Sequence, residues 1–390
     1  MITVSSLALE AVRRRFERNF TELGECGAAF SLWQDGREVL HLCGGMADPA
    51  TARPWTEDTL VPVWSASKGP AVLSLLMALD EAGLNLETRV AEIWPEFAQA
   101  GKSAITVAHL LSHRAGLCAL PWEVSIWEGD AVIAALEQQE PLWTPGTQQG
   151  YHPRTFGFLI EALLRRLSGS SSVGEWLVQR LTGPMAADFW LGLPSEGDHR
   201  VARVRPGRLD LQRQAQPFFQ AFLKAGTLTQ RSFHSPRGLN AVIDFNHPEV
   251  WRAGFASMGG VASARGLASI YAMLACGGQW QGRSLVSAKV LGWLGQPLSQ
   301  AEDVVLMETL AFSAGMMLDP CMRADSESVK LRQIFGPSLT AFGHPGAGGS
   351  LAFADPENRI AMAYVPNHLE PGALPSAKAL GLVESVYSAC

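Results

Sequence analysis

The chain has 390 residues, of which 47% are hydrophobic and 17% charged, a balance that supports a large buried core and excludes a disordered protein. Its formal net charge of −6 offers no electrostatic footprint for nucleic acid or an anionic membrane surface, so neither is an expected partner. No stretch approaches ~18 uninterrupted apolar residues, which excludes an ordinary membrane-spanning helix.

The N-terminal MITVSSLALEAVRRRFERNF sets Leu, Val and Phe among Arg and Glu at helical spacing, with no continuous apolar run or small-residue cleavage site. It reads as an amphipathic surface helix and not as a signal peptide. The cytoplasm is therefore the expected location. Six scattered cysteines (Cys26, Cys43, Cys118, Cys276, Cys321 and Cys390) form no C-x-x-C pair and are expected as reduced thiols. Gly27 to Trp33, a turn at Gln34-Asp35-Gly36 and the following REVLHLCGG predict a β-hairpin. Ser65-Ala66-Ser67-Lys68 then opens a predicted helix with Val72, Leu73, Leu76 and Leu79 on one face and Gly83 as its stop. From there to about residue 300 helical patterns alternate with Gly/Pro loops. Strand signals return at Leu351 to Pro356 and Ile360 to Asn367, before a closing helix through AKALGLVESVYSA. The pattern predicts an α/β fold of the α+β type: an antiparallel sheet from residues 1–60 and 310–390 flanked by helices, with a mainly helical part at 61–309.

Three elements carry chemistry. In Ser65-x-x-Lys68, residues three apart share a helix face, so the lysine amine reaches the serine hydroxyl and can help remove its proton. Lys68 is the only charged residue between Asp58 and Asp80, so its ammonium must be paired, hydrogen-bonded or depressed in pKa. A lysine snorkelling from a helix end is the alternative. Tyr151, one of four tyrosines, follows a Pro-Gly turn and precedes an amphipathic helix. Its phenol could serve as general base and acid, or simply pack. Gly343-His344-Pro345-Gly346-Ala347-Gly348-Gly349-Ser350 could bring a backbone N–H on an edge strand to a ligand, or be a turn. No G-x-S-x-G nucleophile elbow occurs.

Together, in this order, these elements resemble the class C β-lactamases and their esterase relatives, the family VIII carboxylesterases. Leu110 to Leu117 (LLSHRAGL), the turn before Tyr151, MGGVASARGLASIYAML and HPGAGGSLAFADPENRIAMAYVPN extend the likeness from about residue 25 to the C-terminus. The resemblance implies a β-lactamase-like fold with the site in the cleft between sheet and helical parts. It implies Ser65 as nucleophile, Lys68 and Tyr151 as proton-transfer groups, and an oxyanion hole from the N–H groups of Ser65 and Ala347. Tyr151 would match the tyrosine of the family's Y-x-N element, and His344-Pro345-Gly346 its K-T-G element. Two departures stand out. Pro153 replaces the asparagine, and His344 and Pro345 replace the lysine and threonine that hold a β-lactam carboxylate. Both losses favour esters of neutral acids over β-lactams.

His344, Gly346, Trp64, Trp122 and His152 are the candidate substrate-binding residues. Of the loop tryptophans Trp64, Trp122, Trp127, Trp143 and Trp190, the first two are the ones expected to touch substrate. His109 and His113 stand four apart but lack the glutamate of H-E-x-x-H and a third ligand, so neither metal nor cofactor is expected. The expected activity is a serine carboxylesterase acting on short-chain or small carboxylic esters. Amidase, D-aminopeptidase or acyltransferase chemistry on the same acyl-enzyme, or a silent ligand-binding member of the fold, are the alternatives. The sequence leaves the oligomeric state open.

Overall fold

In a computed structural model, which describes residues 3–324 and 327–388, the first hairpin turns at Asp35 (φ 51°) and Gly36 (φ 73°). Both lie in the left-handed region that a two-residue hairpin turn needs. The turn joins β1 (Gly27–Gln34) to β2 (Arg37–Asp48), paired antiparallel from Gly27 with Gly45 to Gln34 with Arg37. β3 (Arg53–Pro54) closes that side of the sheet. The later strands are β4 (Ser299–Asp303), β5 (Glu308–Phe312), β6 (Met317–Leu318), β7 (Phe342–Pro345), β8 (Leu351–Asp355) and β9 (Ile360–Pro366). They give one antiparallel sheet in the order β4-β5-β6-β7-β8-β9-β1-β2-β3, so the chain's two ends meet where β9 pairs with β1.

The central strands β7, β8, β9 and β1 are buried on both faces, and their alternation decides what covers each. Ile360, Met362 and Tyr364 of β9 join Phe30 and Leu32 of β1 against the first helix, α1 (Ser6–Thr21), and the closing helix. α1 contributes Val12 and Phe16; the closing helix, Ala377–Tyr387, contributes Leu382, Val383 and Val386. On the other face Ala361, Ala363 and Val365 are small and admit the buried helix Ala264–Ala275 close to the sheet. β8 repeats the rule, with Leu351 and Phe353 on one side and Ala352 and Ala354 on the other.

The helix after Ser65, α2 (Lys68–Glu81), differs from expectation. It buries every residue from Lys68 to Leu79, not one face, because it lies in the middle of the molecule among other helices. No helix among the described residues is long and apolar enough to cross a membrane. The described cysteines are free thiols; Cys390 lies outside the described residues.

Candidate active site

The chain reaches Ser65 through an uncommon bend. Trp64 has φ 48°, a left-handed conformation that costs a bulky residue about 1–3 kcal/mol and persists only where its surroundings hold it. Here the Trp64 ring packs on Phe245 with centroids 4.5 Å apart. The Ser67 hydroxyl donates to the Trp64 carbonyl and accepts the Gly260 N–H at 2.8 Å, and Val63 N–H donates to Gly260 O at 2.9 Å. The bend opens a single 3₁₀ turn, Trp64–Ser67, that runs into α2. At three residues per turn, positions 65 and 68 eclipse, which stacks serine over lysine. Trp64, Ala66 and Ser67 are buried, leaving Ser65 as the residue of this turn that reaches solvent.

Lys68 is fully buried, with no carboxylate at its amine among the described residues. Its Nζ lies 3.2 Å from Ser65 Oγ, 3.0 Å from Pro153 O and 2.9 Å from Ser257 O. Burial drives its pKa well below the ordinary lysine value, favouring the neutral amine. Two N–H bonds then go to the two carbonyls, and the lone pair faces Ser65 Oγ. The same amine stands 4.8 Å from the centroid of the Tyr151 ring. Burial pushes the Tyr151 phenol up, outweighing its hydrogen bond to Ser65, so it stays protonated. Ser65 thus sits between a proton acceptor and a proton donor.

The Tyr151 loop is fixed by Asp303, which no motif in the sequence marks as its partner, and by His113. Asp303, fully buried at the end of β4, accepts N–H bonds from Tyr151 (3.0 Å), Val305 (3.0 Å) and Leu306 (2.9 Å). Such an aspartate turn has a local signature at 305 and 306, but its reach to Tyr151 spans 152 residues. His113, at φ 58°, takes the His152 N–H on its Nδ1 at 3.2 Å and the Gly150 N–H on its carbonyl at 3.0 Å. Its ring packs on Tyr151, centroids 4.8 Å apart. His109 instead accepts its own helix's Thr106 N–H, so the two histidines turn to different tasks.

Gly346 explains how the 343–350 segment reaches Ser65: a Cβ there would lie 2.2 Å from Val63 O, in the residue before Trp64. β7 is an interior strand, contrary to the edge position expected. It pairs with β6 only at Phe342 and Gly343, so its far end is unpaired on that side. The Ala347 N–H has no partner among the described residues. The Ser65 N–H lies in the first turn of its helix, where no intrahelical acceptor exists. His344 is buried and donates Nδ1–H to Pro345 O at 2.7 Å, and burial lowers its pKa to about 3. It is neutral and supplies no cation.

The structure brings Ser65, Lys68, Tyr151, Trp64, His344, Gly346 and Ala347 together. It does not bring in Trp122, which is about half exposed and lines none of the cavities at Ser65. His152 is also a correction. Its Nε2 accepts Leu117 N–H at 3.0 Å and its Nδ1–H donates to Gly150 O at 2.7 Å, leaving no nitrogen for substrate. Trp143 packs over Gly150, and Trp127 and Trp190 line a different groove. A small cavity of about 140 Å³ opens at Ser65 between Trp64, Pro153, Phe222, Phe233, Val242 and Ala347. Its one guanidinium, Arg154, is buried and gives N–H bonds to Pro236 O (2.8 Å), Gly238 O (2.5 Å) and Leu239 O (2.9 Å).

A serine stacked on a buried lysine whose pKa is lowered, beside a protonated tyrosine at the junction of an antiparallel sheet and a buried helix, defines a serine hydrolase of the β-lactamase-like fold. The Beta-lactamase family model matches residues 14–384, and the chain belongs to that family. It is 30% identical to the "Esterase/beta-lactamase LipL" of Mycobacterium tuberculosis over 358 residues, covering 88% of this chain and 77% of that protein. Among solved structures it resembles a family VIII carboxylesterase (31% identity, TM-score 0.86, covering 100% of this chain and 99% of that one). A penicillin-binding protein homologue from Caulobacter crescentus is similar too, at 34% identity and TM-score 0.84, with coverage of 100% and 99%.

Proposed function

We propose that the chain is a serine carboxylesterase that cleaves neutral carboxylic esters through an acyl-enzyme on Ser65. The observation that carries this reading is the Lys68 amine, 3.2 Å from Ser65 Oγ and committed to two carbonyls, so that its neutral form offers one lone pair, to Ser65. Lys68 accepts the Ser65 proton as Oγ attacks the ester carbonyl. The tetrahedral oxygen rests on the N–H groups of Ser65 and Ala347. Tyr151 gives its proton to the departing alcohol oxygen and recovers one from Lys68. Water enters, loses a proton along the same path in reverse, and releases the acid.

The electrostatics favour neutral substrates. A β-lactam carries a carboxylate, and the groups near Ser65 offer it little: His344 is neutral, Lys68 is depressed, and Arg154 is buried under its loop carbonyls. Similarity to a carboxylesterase and to an esterase/β-lactamase supports the same choice. The test is a side-by-side rate assay of p-nitrophenyl butyrate and a chromogenic cephalosporin with wild type and Ser65→Ala. Fast Ser65-dependent ester cleavage with slow cephalosporin opening is expected. The opposite ranking would make the protein a β-lactamase.

A further inference from the structure

The small cavity at Ser65 does not end there. It shares Trp64, Phe222, Phe233, Asn240, Val242 and Ala347 with a second, larger cavity of about 310 Å³ that is also lined by Gly348 and Leu369. One wall is aromatic. The short helices Pro217–Leu223 and Leu228–His234 bring Phe218, Phe222 and Phe233 into mutual contact, with ring centroids 5.5–5.8 Å apart, and none of the three is fully buried. The facing wall is Gly348 and Leu369, so close that a Cβ on Gly348 would lie 2.6 Å from the Leu369 Cβ. Glu370 is the one charged residue in the lining, and its carboxylate is taken by Arg213 at 2.9 Å and Lys378 at 3.7 Å. The larger cavity is therefore a mostly apolar channel, with Asn240 the polar residue it shares with the cavity at the serine.

We propose that this channel binds the acyl chain of medium-chain esters, of which octanoyl esters are representative. The inference rests on the ester-hydrolase reading above and deepens it. Its direction follows from where the proton donor stands. The alcohol oxygen must leave toward the Tyr151 hydroxyl, and neither Tyr151 nor Lys68 lines the channel. The other arm of the carbonyl, the acyl chain, points away from Tyr151 and enters past Trp64 and Ala347. An apolar wall without a free charge rewards each methylene removed from water, about fourfold in kcat/KM at ~0.8 kcal/mol per CH₂. This is a longer acyl group than the short chains expected from the sequence.

The experiment compares kcat/KM for p-nitrophenyl acetate, butyrate and octanoate. In parallel, acetate esters of methanol and octanol are hydrolysed by the same enzyme. Octanoate is expected to exceed acetate by at least ~100-fold, while the two alcohols differ by less than ~5-fold. Phe222→Asp should reduce the octanoate-to-acetate ratio at least ~10-fold, a ratio that partial misfolding leaves unchanged. A flat acyl series with cleavage of every ester overturns the channel assignment and leaves the esterase reading standing. A flat acyl series with a steep alcohol series overturns it in favour of an alcohol site. Absence of Ser65-dependent cleavage of any ester overturns the underlying reading, and the channel assignment falls with it.

Discussion

The groove beneath Trp127 and Trp190 encloses about 760 Å³, and the cavity at Ser65 about 140 Å³. In the larger one the charges are matched: Asp130 stands 3.6 Å from Arg165, Arg252 bonds Asp198, and Glu161 accepts the Val173 N–H at 3.0 Å. Behind the smaller one, around Ser65 and outside the cavity's own lining, a lysine is buried with no carboxylate at its amine among the described residues, a phenol is held protonated, and His344 is kept neutral. Ionisable groups buried without counter-charges are costly, and their accumulation at one serine marks the reaction centre better than the size of the opening does. The two regions meet at Ser257, among other contacts. Ser257 lines the groove with its chain neighbours, and its carbonyl accepts a Lys68 N–H.

The contrast can be broken by mutation, and the largest effects belong to the small cavity. Ser65→Ala should lower kcat for ester hydrolysis by roughly 10⁴-fold or more with an unchanged thermal unfolding curve; a mild loss would place the nucleophile elsewhere. Tyr151→Phe keeps the ring against His113 and removes the proton carrier, so a drop of roughly 10²–10⁴-fold in kcat is expected in steady-state assays. Asp303→Asn retains one acceptor oxygen for the Tyr151 N–H and should cost about 10-fold, visible in kcat more than KM. Trp127→Ala, in the groove, should change kcat/KM by less than ~2-fold at saturating structural integrity. A large loss there would show that the groove governs Lys68 through Ser257.

The pH profile sharpens the same contrast. Lys68 must be neutral to take the serine proton, and its pKa is lowered by burial, so kcat/KM is retained as pH falls through the ordinary lysine range and lost only on the acid side. Tyr151 must be protonated, and its pKa is raised, so no loss is expected up to pH ~10, near the unperturbed tyrosine value. His152 and His344, each at about 3, add no inflection near neutrality. A kcat/KM that rises only as pH approaches the ordinary lysine value of 10.5 would contradict this assignment.

Much of this was legible in the sequence where contacts are local. Ser65 and Lys68 are three residues apart on one turn, and the small-large alternation of Ile360 to Pro366 writes a strand buried on both faces. The turn and rarity of Tyr151 left simple packing as the alternative, and it was the family resemblance that singled it out. What was missed depends on long-range closure. Asp303 is tied to Tyr151 across the fold, and Ser257 and Pro153 act through carbonyls, which carry no side-chain signature. Ser299–Asp303 escaped notice because Ser-Gln-Ala-Glu-Asp is the polar sequence of an exposed edge strand. Trp122 was chosen because it sits in a loop, and loop direction is set by packing that composition does not record.

The most direct test is to trap the intermediate. Wild-type protein is mixed with p-nitrophenyl octanoate, quenched in acid within milliseconds and digested for peptide mass spectrometry. An octanoyl group on Ser65, absent from Ser65→Ala and accumulating in Tyr151→Phe, is the result expected. Acylation of another residue, or ester turnover with no acyl-enzyme in either protein, would contradict the assignment of Ser65 as the nucleophile.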